Sequence, residues 1–300
     1  MADTLAVDVA DLHKTYEGGI EALRGLNLRV PAGSIYGLLG RNGAGKTTTI
    51  KVLLGMAAPT RGQVRVLGLA ADVQDSSVAI RQRTGYVSEE RDLYDAMTVA
   101  QIIRFTAGFY PTWRSDLEVR YQRSFELAPD RTVRELSRGM RTKLALLLAL
   151  SRGAELLVLD EPTSGLDPAA TEEVLQALVA HVAKEEMTVL LSTHHLTDVD
   201  QVADHIAIVD SGRAIVSGAL DDLRDAYRRV QCVFDGDAPE PAFRSPGVVR
   251  AQRRGRVLTI FNSGNLEQVL DEARVLRPLS IEVLPVTLKD IFLETVGGEN

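Results

Sequence analysis

Apolar side chains recur along the first two thirds of the chain in two alternating rhythms. Leu5-Ala6-Val7-Asp8-Val9 has the period-two pattern of a half-buried strand, and Leu26 to Val30 predicts a second strand before the turn Pro31-Ala32-Gly33. Ile35 to Leu39 is an unbroken apolar run, which predicts a buried strand. It ends in a glycine-rich turn, Thr47 to Leu54 continues as a helix, and Gly55 stands where a helix would stop. Short strands are expected at 64–67 and 85–87. From Thr98 to about Arg131 the spacing is helical, with Phe105, Phe109 and Trp113 four residues apart on one face, expected to form the core of a helical region, with contact to a membrane partner as the alternative. A further helix starts near Ser137 and runs through Leu150. Leu156 to Leu159 reads as a buried strand, and Ala169 to Lys184 as a helix with Val174, Leu178 and Val182 on one stripe. Val189 to Leu191 is another strand, and 206–209 with 214–216 form a hairpin around Ser211-Gly212. Strands that alternate with helices argue an α/β fold with a mostly parallel sheet.

Beyond Gly218 the character changes. Residues 235–246 are rich in Pro, Gly and Asp, a loop signal. Strands are expected at 257–261 and 281–284, with helices near 265–276 and 287–296, giving a small α+β appendage over 219–300. Arg253, Arg254 and Arg256 there read as a solvated strand edge.

Composition narrows the function. The chain has 300 residues, 45% hydrophobic and 25% charged, enough to bury a core and too apolar for disorder. The richest apolar stretch, Leu144 to Leu150, is closed by Lys143 and Arg152, far short of the ~20 residues that cross a bilayer. A net charge of −7, spread evenly, leaves no electrostatic footprint for nucleic acid. A single cysteine, Cys232, rules out an intrachain disulfide and a cysteine metal site. Together with a start, Met1-Ala2-Asp3-Thr4, that lacks an apolar core, it places the expected location in the cytoplasm.

Three segments carry chemistry. Gly40-Arg41-Asn42-Gly43-Ala44-Gly45-Lys46-Thr47 fits G-x-x-x-x-G-K-[ST], the Walker A loop, between a strand and a helix as that motif requires. Its glycines turn backbone N–H groups inward onto phosphates, Lys46 adds a charge at the β/γ-phosphates, and the Thr47 hydroxyl ligates Mg²⁺. Leu156 to Glu161 is an apolar strand ending in two carboxylates, the Walker B pattern: Asp160 to hold Mg²⁺ and Glu161 to orient or deprotonate the attacking water. Ser137 reads as an N-cap whose helix offers free N–H groups, and Asp167-Pro168 as a second helix start.

Leu136-Ser137-Arg138-Gly139-Met140 resembles the LSGGQ signature of ABC-type ATPases, and it stands shortly before Walker B as in that family. Asp160 to Asp167 is similar to Walker B running into the D-loop, Ser192-Thr193-His194 to the H-loop, and Lys14-Thr15-Tyr16 to the A-loop. The match in order and spacing runs through residues 5–218. It implies a P-loop ABC ATPase domain over 1–218, with a RecA-like core, an antiparallel β subdomain and a helical subdomain at about 90–138, followed by a small accessory domain over 219–300. It also implies ATP and Mg²⁺ as cofactors. The nucleotide would meet Tyr16, Gly40, Asn42, Gly43, Ala44, Gly45, Lys46, Thr47, Thr48, Glu89, Ser137, Gly139 and Asp167. The metal would sit on Thr47, Asp160 and Glu89, and catalysis would fall to Glu161, His194 and Lys46; His195 is the weaker histidine. In this family the signature meets ATP held by the opposite chain, so a homodimer, or a pair with a related ATPase, is expected. The sequence departs from the family at Arg138, Met140 and Glu89, where glycine, glutamine and glutamine are usual. Ser137 to Leu150, the Glu-Glu-Arg after Tyr86, and Leu288 to Leu293 look like bacterial type-2 exporter ATPases. These imply a separate membrane permease, attachment to the inner face of the plasma membrane through it, and export of a drug, antibiotic or peptide. A DNA- or ribosome-directed ABC ATPase, and a module that binds ATP without turnover, are the alternative readings.

Overall fold

The alternating segments at the start of the chain pair with one another and extend beyond their pattern. β1 (Leu5–Tyr16) runs antiparallel to β2 (Ile20–Pro31), with Val9 opposite Leu28. The computed structural model describes residues 4–296. The chain divides into two units, Met1–Ser217 and Gly218–Asn300.

In the first unit the unbroken apolar run is β3 (Ile35–Leu39), buried at every residue, which feeds α1 (Lys46–Leu53). β4 (Arg61–Val66) and β5 (Leu69–Ala70) complete an antiparallel sheet in the order β2-β1-β4-β5. α2 (Gln74–Arg83) and β6 (Thr84–Val87) follow, then the helices α3 (Val99–Ala107), α4 (Ser115–Ser124) and α5 (Arg138–Leu150). β7 (Leu156–Asp160), α6 (Pro168–Glu185), β8 (Thr188–Thr193), α7 (Leu196–Val202), β9 (His205–Asp210) and β10 (Arg213–Ala219) complete it. The second sheet has the order β10-β9-β3-β8-β7-β6, with β9, β3, β8, β7 and β6 parallel. Strands covered on both faces need no polar alternation, which is why β3, β7 and β8 read as continuous apolar stretches. α1 packs Ile50, Val52 and Leu53 into one core with Leu26 and Leu28 of β2, Leu38 of β3, Val158 of β7 and Leu190 of β8. The helix starts lie where the caps are. Thr98 and Gln101 form a capping box on α3, Ser137 accepts from Met140 N at 3.2 Å on α5, and Asp167 accepts from Ala170 N at 2.9 Å on α6.

The expected helix from Thr98 to Arg131 is two helices. α3 stops at Ala107, because Gly108 is a weak helix former and Pro111 cannot donate to a helical ladder. Phe105, Phe109 and Trp113 therefore do not share a helix. Phe105 is 42% and Phe109 65% exposed, and the core here is instead Ile102, Ile103, Leu117, Tyr121, Phe125 and Leu127. Trp113 donates its ring N–H to Glu118 at 2.7 Å. The helix α2 has no apolar stripe that could announce it: only Ser77 and Ile80 are buried.

The second unit contains α8 (Leu220–Ala226), β11 (Arg228–Val233), β12 (Val248–Arg254), β13 (Val257–Asn262), α9 (Leu266–Val275), β14 (Ser280–Leu284) and α10 (Leu288–Val296). Its antiparallel sheet has the order β12-β13-β11-β14. α9 covers one face through Val269 and Ala273, packed with Val230, Cys232, Leu258 and Ile260. The β12 edge carries Arg253, paired with Glu240 at 3.0 Å, and the exposed Arg254. Cys232 is a buried free thiol whose pKa burial raises.

One buried group makes stability depend on pH. His181 of α6 pairs its Nδ1 with the Tyr121 hydroxyl at 2.8 Å. Burial, with help from the charges of Arg120, Arg114 and Lys184 and against that of Glu185, pushes its pKa down to about 4. Unfolded, the ring takes up a proton near pH ~6.5, while the folded ring does not until about pH 4. The unfolded chain therefore binds more protons between these values, and stability is lost as the pH falls through that window, by at most about 3 kcal/mol. In urea titrations across this range, His181→Gln is expected to flatten the slope. An unchanged slope contradicts the assignment.

Candidate functional site

β3 delivers the chain into a loop that only glycine can follow. Gly43 (φ +81°) and Gly45 (φ +111°) have left-handed backbones, and a Cβ at Gly45 would lie 2.8 Å from Ala22 O and from Leu23 Cδ2. The loop closes with Ala44 N donating to Arg41 O at 3.1 Å, and α1 begins at Lys46. A cleft of about 260 Å³ opens over it, lined by Arg41, Asn42, Gly43, Gly45, Lys46, Thr47 and Thr48 with Ala22, Glu89 and Glu161. Backbone N–H groups at a helix start and a nearby ammonium make this an anion-binding surface. Lys46 is buried, and its Nζ donates to Gly40 O at 2.9 Å and pairs with Glu161 Oε1 at 3.4 Å.

Two carboxylates stand at the end of β7. Asp160 is held at both oxygens: Thr47 Oγ1 donates to Oδ2 at 2.9 Å and Ser192 Oγ to Oδ1 at 2.9 Å. Glu161 has a left-handed backbone (φ +49°), and its side chain faces Lys46 at 3.4 Å. Its Oε2 accepts from Thr193 Oγ1 at 3.0 Å, and its Oε1 lies 2.9 Å from His194 Nδ1. Burial raises the pKa of Glu161, but the His194 hydrogen bond, the Lys46 charge and the Thr193 hydroxyl outweigh it, so the group sits below the ordinary carboxylate range. A carboxylate held ionised accepts a hydrogen bond from water and orients it, while being a weak proton acceptor.

The donor set suits a hard cation. Thr47, Asp160 and Glu89 offer hydroxyl and carboxylate oxygens around the cleft, the ligand type Mg²⁺ takes. Glu161, His194 and His195 bring ligand atoms within 4.8 Å of one another. The Lys46 ammonium, 3.4 Å from Glu161 Oε1, occupies that neighbourhood with positive charge and opposes a metal there.

The other residues picked from the sequence lie elsewhere. Tyr16 ends β1, with Lys14 Nζ 4.9 Å from its ring centre, and is not among the residues lining the cleft. Ser137 and Asp167 cap α5 and α6, and Gly139 faces Ala170 and Leu166, so the two helix starts stand side by side, again outside the cleft lining. Arg138, in place of the usual glycine, lies over Gly165 of its own chain, with Nη2 3.5 Å from Ser164 Oγ. The sequence reading passed over Ser192 and Thr193 as ligands of the two carboxylates; their position directly before His194 was the available signal. Arg91, quoted above only as part of the Glu-Glu-Arg that follows Tyr86, sends its guanidinium to the backbone of Glu161. Nothing in the sequence marks that arginine as buried.

Comparison with known proteins gives a consistent picture. The family model described as ABC transporter matches residues 23–164. The daunorubicin resistance ATP-binding protein DrrA3 of Streptomyces coeruleorubidus is 33% identical over 321 residues, covering 100% of this chain and 98% of that protein. The Nod factor export ATP-binding protein I of Rhizobium etli is 32% identical over 302 residues, covering 98% of this chain and 94% of that protein. Among solved structures, an ATP-binding subunit of an ABC transporter aligns with a TM-score of 0.67 and 32% identity, over 74% of this chain and 92% of that one.

Proposed function

The chain belongs to the ABC transporter ATP-binding proteins, and from that premise we propose that two such chains clamp MgATP and hydrolyse it to drive export through a separate membrane permease. The observation that carries this reading is the placement of Glu161. It is ionised, held by Thr193, His194 and Lys46, and faces the same cleft as the phosphate-binding loop.

In this scheme the loop N–H groups from Asn42 to Thr48, with Lys46, bind the phosphates. Thr47, Asp160 and Glu89 hold Mg²⁺, which when bound offsets negative charge on the phosphates. Glu161 orients the water, His194 turns from Glu161 to the γ-phosphate, and Tyr16 meets the adenine. Ser137, Gly139 and Asp167 lie outside their own chain's cleft. They act on nucleotide held by the partner, either a second copy or a related ATPase. Residues 1–218 form the ATPase domain and 219–300 an accessory domain. The relatives named for Nod factor export and daunorubicin resistance support export, of drug, antibiotic or peptide class, from the cytoplasmic face of the plasma membrane. Among the described residues no helix is long and apolar enough to cross a membrane, so the path for the substrate lies in the permease. Steady-state phosphate release from MgATP tests the reading. Saturable release is expected, and binding without release contradicts it.

The exposed aromatic group is the surface proposed to meet the permease. Phe105 lies edge-on to both Tyr94 and Phe109, at 5.5 and 5.1 Å. Phe109 also borders a groove of about 440 Å³ with Leu54, Met56, Val78 and Tyr110. Because Phe109 is 65% exposed, Phe109→Ser is expected to change folding stability by less than about 0.5 kcal/mol and to leave basal ATP turnover unchanged. It should lose permease from the purified complex. Retention of the permease at wild-type stoichiometry contradicts this surface.

A further inference from the structure

The loop from Glu161 to Ser164 is gripped from below by a side chain with no part in the scheme above. Arg91 follows β6 and is only 6% exposed. Its Nη2 lies 3.0 Å from Glu161 O, 2.9 Å from Pro162 O and 3.4 Å from Ser164 O. Its Nε has no partner among the described residues. These partners are carbonyls rather than a carboxylate. Burial, then the nearby charge of Arg138, lowers the Arg91 pKa, with the charge of Glu89 opposing. A buried guanidinium with an unpartnered Nε carries a desolvation cost that its carbonyl partners offset only in part. What the guanidinium supplies is one nitrogen, Nη2, within hydrogen-bond reach of three carbonyls of the same turn.

Those carbonyls belong to a strained turn. Glu161 is a non-glycine residue at φ +49°, and Ser164 N closes the turn onto Glu161 O at 3.2 Å. A left-handed residue costs of order 1 kcal/mol and persists only where its surroundings over-determine it. Arg91 is itself left-handed (φ +51°), and its N–H donates to Ser88 Oγ at 3.3 Å. Segment 88–91 thus presents Glu89 to the cleft and Arg91 to the backbone beneath Glu161.

We propose that Arg91 is a positioning residue for ATP hydrolysis, holding the carbonyls of Glu161, Pro162 and Ser164 so that the Glu161 carboxylate keeps its aim into the cleft. This rests on the reading of Glu161 as the residue that orients water. Arg91 is not among the residues that line the cleft, so its effect falls on turnover and not on binding.

The test compares Arg91→Ala and Arg91→Lys in the wild-type and the Glu161→Gln backgrounds, measuring kcat, the Kd of a non-hydrolysable ATP analogue with Mg²⁺, and the urea midpoint. Arg91→Ala is expected to lower kcat about 10- to 100-fold, the scale of a misplaced catalytic group, with Kd within about twofold. In the Glu161→Gln background the same change should alter residual turnover by less than about twofold, since residues that act as one unit are not additive. Arg91→Lys keeps the charge, but its ammonium ends short of the position that Nη2 occupies, so its kcat should fall between wild type and Arg91→Ala. If Arg91→Ala is not recovered folded, Arg91→Lys carries the same comparison with a smaller loss. Wild-type kcat in both arginine variants, an equal loss in both backgrounds, or a matching loss in Kd overturns the proposal. Turnover retained by Glu161→Gln alone would instead remove the reading of Glu161; a defective Glu161→Gln beside a normal Arg91→Ala removes only the role of Arg91.

Discussion

Glu161→Gln is expected to slow phosphate release by roughly 100-fold or more, the scale of a lost side chain that acts on the attacking water, while MgATP stays bound and the two chains stay together. The amide keeps the shape of the side chain and can still accept from Thr193, which now donates to Oε2 at 3.0 Å. It removes the negative charge that faces Lys46 at 3.4 Å and His194 at 2.9 Å. Binding should survive, because the phosphate-facing N–H groups and Lys46 are untouched; removing the charge also takes away a repulsion against the incoming nucleotide. An ATP-loaded complex of twice the chain mass, stable on size exclusion, is the expected physical state. Release within threefold of wild type would show that some other group orients the water.

Lys46→Ala is expected to act at the opposite end of the cycle. Lys46 is buried among Gly40 O, Arg41 O and Glu161 Oε1. Truncating one member of a buried charge pair costs about 2–5 kcal/mol, so MgATP affinity should fall by about 30-fold to several thousand-fold. Glu161 would then lose the charge that helps to keep it ionised, and turnover should vanish along with binding. Arginine is not a conservative replacement here, because its planar fork does not fit a site built around a point charge. Fluorescent-nucleotide titration with a parallel thermal melt checks this; affinity within threefold of wild type, in a folded variant, contradicts it.

Some of this was legible from sequence and some was not, for physical reasons. Glycine spacing exposed the phosphate loop because only glycine tolerates φ +111° at position 45 with the Ala22 carbonyl so near. Unbroken apolar runs gave β3, β7 and β8, since strands buried on both faces leave no ambiguity of period. The cleft gathers Asn42, Lys46, Thr47, Glu89 and Glu161 from segments far apart in the chain, and motif order anticipated that. The pattern failed where tertiary context decides. Four-residue spacing of Phe105, Phe109 and Trp113 suggested one helix, but Gly108 and Pro111 end it and leave two of the rings in solvent. α2 buries too little to show a stripe. Arg91 looks like any surface arginine until its carbonyl partners, seventy or more positions away, are seen.

This ATPase is proposed to drive a separate membrane permease. The most direct measurement is to tag Glu161→Gln, load it with MgATP, solubilise membranes of the source organism, and identify what stays bound, with Lys46→Ala as the control. A multi-span membrane protein retained at fixed stoichiometry by Glu161→Gln and absent from Lys46→Ala is the predicted result. Recovery of soluble proteins or ribosomes alone would contradict the transporter account.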